Sequence, residues 1–188
     1  MTDIQLFFED PTIDHKLPRK FSTLYLLRRD ISVCFGINIR NGSNLKYKAL
    51  WPGAMAILAG IDLLGKFYAG YDTGSVGMKF KNYIGKYFIS VSGSETEIIY
   101  QLRNSLLHSF GLYSKDNKNN KIYRFVVDEV NEPLVKSLGH DKYKVDLITL
   151  NKYFEASIAN YKIDLMASSK LQGNFKNMFP NYGYVNIW

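Results

Sequence analysis

The segment AMAILAGIDLLGKFYAG, residues 54–70, is apolar nearly all round. A helix without a polar face belongs in an interior, so the segment predicts a central helix on which other elements pack. Trp51-Pro52 opens it, since proline is tolerated in a first helical turn. Gly60 and Gly65 allow neighbouring backbones to come close. Its most apolar part, 54–65, is too short to span a bilayer and contains Asp62. The N-terminal MTDIQLFFEDPTID is acidic and lacks the basic flank and apolar core of a signal peptide. These features lead to the expectation of a cytoplasmic protein with no membrane partner.

Helices are expected on both sides of this segment. Residues 21–36 set Leu24, Leu27, Ile31, Cys34 and Phe35 at helical spacing, with Gly36 ending the run. After a turn over 71–77, MKFKNYIGKYF (78–88) reads as a third helix. A fourth is expected from about Glu95 to Phe110, opened by a capping box of Ser94 and Glu97 and closed by Gly111. SKDNKNNK (114–121) reads as a polar turn. IYRFVVD (122–128) and YKVDLITL (143–150) are rich in β-branched and aromatic residues and predict an antiparallel pair. A long final helix over about 150–170 carries Leu150, Tyr153, Phe154, Ile158, Tyr161 and Leu165 on one face. The tail NMFPNYGYVNIW is aromatic and without clear periodicity. With 188 residues, 46% of them hydrophobic, the chain can bury one real core. The expected fold is mainly α: a single domain over 1–188, with a helical bundle at about 20–112, a small C-terminal antiparallel β-hairpin at about 122–150 and the long final helix.

The net charge of +7 favours an anionic partner, nucleic acid first. Cys34 is the sole cysteine and sits in an apolar run, which rules out a disulfide framework or a cysteine metal cluster. His15 and His140 lie in polar segments with no partner at metal-ligand spacing and read as surface residues. AGYDTGSVGMKF is glycine-rich but is no phosphate loop. No metal and no cofactor are expected.

The fourth helix contains YQLRNSLLHSF, residues 100–110. At about 100° per residue, Ile98, Ile99, Leu102, Leu106 and Phe110 form one core stripe. The reverse face holds Tyr100, Asn104, Leu107 and His108, with Arg103 at its border. Such a mixed face is built to meet another surface. The spacing Arg103-Asn104-x-x-x-His108 resembles the signature of the HEPN family (higher eukaryotes and prokaryotes nucleotide-binding domains), in which an arginine, often followed by a polar residue, precedes a histidine by four to six residues. The resemblance covers about residues 20–112. It implies an all-helical bundle and a metal-independent endoribonuclease with a composite cleft shared by two copies. It also implies a toxin or defence setting, with a cognate antitoxin protein as a further partner.

The chemistry suits those residue types. RNA is cleaved without a metal when the ribose 2′-hydroxyl attacks its adjacent phosphate, which requires one proton removed, another delivered and charge stabilised. Histidine titrates near neutrality, and arginine offers a charged planar fork to phosphate oxygens. The expected roles are proton transfer by His108, phosphate stabilisation by Arg103, and positioning by Asn104, with Tyr100 a further contact. One His108 per chain gives a homodimer two, enough for a base and an acid. Lys79, Lys81 and Lys86, interleaved with Phe80, Tyr83, Tyr87 and Phe88, are expected RNA contacts, Lys79 and Lys81 foremost. Lys115, Lys118, Lys121 and Arg124 form a second basic run. The alternative is a non-catalytic helical module that uses the same face for dimerisation or for nucleotide or RNA binding.

Overall fold

The computed structural model describes residues 1–188. Its elements begin α1 (Asp3–Phe7), β1 (Arg19–Ser22), α2 (Thr23–Cys34), α3 (Leu50–Ala69), α4 (Val76–Tyr87) and α5 (Gly93–Ser109). There follow β2 (Tyr113–Asp116), β3 (Lys121–Asp128), β4 (Val135–Ser137) and β5 (Lys142–Asp146). The chain ends with α6 (Leu147–Ala167), α7 (Ser169–Tyr182) and β6 (Tyr184–Ile187). Contacts divide it into two units, one of residues 1–74 and 162–188, the other of residues 75–161.

In the first unit the apolar run forms α3, with Ala54, Ile57, Leu58, Ile61, Leu64 and Phe67 buried. Helices α2 and α7 pack on it. Ser22 caps α2 by accepting from the Tyr25 N–H. Phe7, Phe67 and Phe175 pack closely with tilted rings, their centroids 4.4 Å and 5.2 Å apart in succession. The aromatic tail, which lacked a readable period, supplies this packing: α7 buries Phe175, Met178 and Phe179, and β6 pairs antiparallel with β1. At 20 residues α3 is long and apolar enough to cross a membrane by length and composition, and half of its apolar window is buried.

The second unit joins α4, α5 and the first part of α6 to a four-stranded sheet of order β2-β3-β5-β4. This sheet corrects the expected fold. Strands β3 and β5 are parallel neighbours, Val127 opposite Val145, rather than an antiparallel hairpin. The antiparallel hairpins are β2–β3 and β4–β5, the latter turned through Gly139, His140 and Asp141, all at positive φ. β4 lies between the two expected strands, and β2 starts at Tyr113 and runs into the expected polar turn. The result is a mixed sheet in mid-chain and a second, two-stranded sheet, where an all-helical bundle with a C-terminal hairpin was expected. Helices α2 and α3 belong to one unit and α4 and α5 to the other.

Helix α6 starts at Leu147, three residues before the expected position. Asp146 explains why. It is fully buried, takes the Thr149 N–H on Oδ1 at 2.7 Å and the Val130 N–H on Oδ2 at 3.0 Å. The aspartate therefore ends a strand and caps a helix in one step.

Candidate functional site

Helix α5 is opened by a capping box two residues earlier than expected. Ser92 accepts from the Glu95 N–H at 3.2 Å, and the Glu95 carboxylate accepts from the Ser92 N–H at 2.8 Å. Glu97, expected in that role, instead accepts from Gln101 at 2.8 Å and pairs with Lys81 at 2.9 Å. The inward stripe holds Ile98, Ile99, Leu102 and Leu106, together with Gln101 and Ser105. Those two polar residues are satisfied locally: Gln101 accepts from Ser114, and Ser105 donates to the Leu102 carbonyl. Phe110 was expected in the stripe. It takes a left-handed conformation at the helix end (φ 49°) and stands 66% exposed.

On the reverse face Arg103, Asn104 and His108 come together. Arg103 Nη1 lies 2.6 Å from His108 Nε2 and donates to Asn104 Oδ1 at 3.1 Å. A guanidinium only donates, so in this contact Nε2 can serve only as the acceptor. Arg103 and Asn104 are half-buried and His108 is exposed. The cluster thus sets an exposed imidazole beside a fixed positive charge.

Tyr100, one turn earlier on the same face, is half-buried, with its ring 5.7 Å from Phe80 and the Lys81 ammonium 4.7 Å above it. Gly77 lies against the phenol, and a Cβ there would overlap it. These residues line a cleft of about 350 Å³ with Ser75, Met78, Asn82 and Lys118. Lys118 is exposed, its backbone N–H held by Asp116 at 3.0 Å. Lys79, expected to contact substrate, is only 3% exposed and so presents no ammonium to solvent. It sits four residues before the fully buried Tyr83 and shares its inward face. Asn82 and Gly77 were not singled out in the sequence. Gly77 was assigned to a turn, and only its position in the first turn of α4 shows its use.

The other histidines separate. His140 is exposed in the β4–β5 turn, whereas His15, expected at the surface, is half-buried with Nε2 3.2 Å from the buried carboxylate of Glu9. Cys34 is half-buried, and burial pushes its thiol pKa up, as for a packing residue rather than a nucleophile. No three His, Cys, Asp or Glu side chains converge at metal-ligand spacing. No protein-family model, curated protein or solved structure matches the chain.

Proposed function

We propose that the protein is a metal-independent endoribonuclease whose working groups are Arg103, Asn104 and His108 on the outer face of α5. The observation that carries this reading is the Arg103–His108 contact of 2.6 Å, with Asn104 on the same guanidinium nitrogen. The resemblance to HEPN ribonucleases is carried over as a motif and its chemistry, and not as a bundle.

A substrate phosphate competes with His108 for the Arg103 fork. As the guanidinium turns to the phosphate, Nε2 is left with a free lone pair next to the reacting group. The imidazole takes the 2′-hydroxyl proton, the oxygen attacks phosphorus, and the 5′-oxygen leaves with a proton from a second imidazole. The products are a 2′,3′-cyclic phosphate and a 5′-hydroxyl. One chain supplies a single His108, so a homodimer with two facing copies of α5 completes the acid–base pair. Phe110, 66% exposed beside His108, gives this face apolar area for a second copy.

That same exposed Phe110 favours the second reading, a non-catalytic dimerisation or RNA-binding face. End-group analysis separates the two. Cleavage by the ribonuclease leaves 2′,3′-cyclic phosphate ends, and sedimentation shows a dimer. RNA left intact by a well-folded dimer overturns catalysis and keeps the binding module. A toxin or defence role, with an antitoxin protein that covers this face, belongs to the same proposal.

A further inference from the structure

The cleft that Tyr100 lines has no role in the chemistry just described, yet Tyr100 shares the outer face of α5 with Asn104 and His108. Tyr100 precedes Arg103 and Asn104 by three and four residues, which on a helix is about 4.5–6 Å along the axis. We infer that this cleft is a subsite for one unpaired nucleotide flanking the scissile phosphate, so that single-stranded RNA is the substrate class. The inference rests on the ribonuclease reading.

The lining fits a nucleotide part by part. A volume of about 350 Å³ suits one small ligand rather than a duplex edge. Tyr100 provides an aromatic wall, and Met78, 56% exposed, an apolar one, for a base to lie against. The exposed Asn82 amide carries both a donor and an acceptor for a base edge. Glu97 offsets the charge of Lys81, which leaves Lys118, at the β2–β3 turn, as the cation offered to a phosphate. Gly77 keeps the floor low, because any side chain there meets the Tyr100 phenol. A base held in a duplex has its edge paired and its faces stacked, and must leave the stack before it enters such a cleft.

The test uses the full chain and one RNA sequence, single-stranded and as a duplex. KM is measured for the parent, Lys118→Glu, Asn82→Ala and Lys136→Glu. Lys136 is exposed on β4, at the opposite edge of the sheet from the β2–β3 turn, and so repeats the charge change away from the cleft. The subsite predicts a KM for single strands raised about tenfold by Lys118→Glu and about fivefold by Asn82→Ala, beyond any change in kcat. Lys136→Glu shifts KM by less than about twofold, and the duplex is a poor substrate. If Lys118→Glu and Lys136→Glu weaken the enzyme equally, or the duplex is cut as well as the single strand, the subsite is overturned while the nuclease stands. If the parent cuts no RNA, the catalytic reading fails. Binding of a 2′-O-methyl single strand then decides the subsite, which survives only if Lys118→Glu weakens that binding about tenfold and Lys136→Glu does not.

Discussion

Arg103 is the residue on which the site turns, because one of its nitrogens reaches both Asn104 and His108. A lysine keeps the charge but has no planar fork, so Arg103→Lys should lose about tenfold to a hundredfold in kcat, seen by steady-state cleavage. A rate near the parent's would show that charge alone suffices. This cluster was legible in the sequence because its members are local: Asn104 and His108 lie one and five residues from Arg103 on one helix, within reach of its long side chain whatever the helix packs against. Lys79 was less legible. Interleaved lysines and aromatics suggested an open basic face, but Lys79 shares the inward face of Tyr83, and burial outweighed its charge. Phe110 was misplaced because the wheel was extended through a residue that leaves helical geometry.

At the scale of elements, the sequence showed which segments are regular better than it showed their partners. The wheel identified Ile98, Ile99, Leu102 and Leu106 on α5's inward face, and the apolar run identified α3. YKVDLITL could not be divided by composition, since Leu147-Ile148-Thr149 has the β-branched character of the strand before it. Asp146 divides it. Burial acts to raise the Asp146 pKa, but the donors of Thr149, Glu132 and Val130 outweigh it and hold the carboxyl below its ordinary value. A carboxyl depressed in the folded state adds stability above its unfolded pKa, about 4, and loses it as pH falls through the folded value. Asp146→Asn replaces one acceptor by an amide that cannot accept from a second N–H. Urea unfolding at neutral pH should show a loss of about 1–3 kcal/mol, shrinking at about pH 3. A pH-independent loss would place its cause elsewhere. In the first unit, a methyl at Gly183 would overlap the buried Phe179 ring. Gly183→Ala should therefore cost about 1–3 kcal/mol in the same assay.

At the scale of the whole molecule, the positive charge is spread over both units. Residues 1–74 and 162–188 hold twelve Lys and Arg against eight Asp and Glu, and residues 75–161 hold twelve against nine. On the proposed ribonuclease reading, charge so dispersed would give a sequence-independent, salt-sensitive grip on RNA. With about three phosphates neutralised, affinity for a single strand should fall about 20-fold between about 50 and about 200 mM salt. A flat salt profile would remove the electrostatic part of the account. The division into two units was not legible, because amphipathicity tells which face of a helix is covered and not which element covers it. All six strands stood unread or mispaired for the same reason, since sheet partners are set by contacts remote in sequence. The central claim remains chemical, and one assay meets it directly: cleavage of single-stranded RNA in excess chelator by the parent, His108→Ala and Arg103→Ala. The account predicts cleavage by the parent and losses of about a hundredfold to ten-thousandfold in kcat for His108→Ala and about a hundredfold or more for Arg103→Ala. Cleavage unchanged in both variants, or abolished in the parent by the chelator, would contradict it.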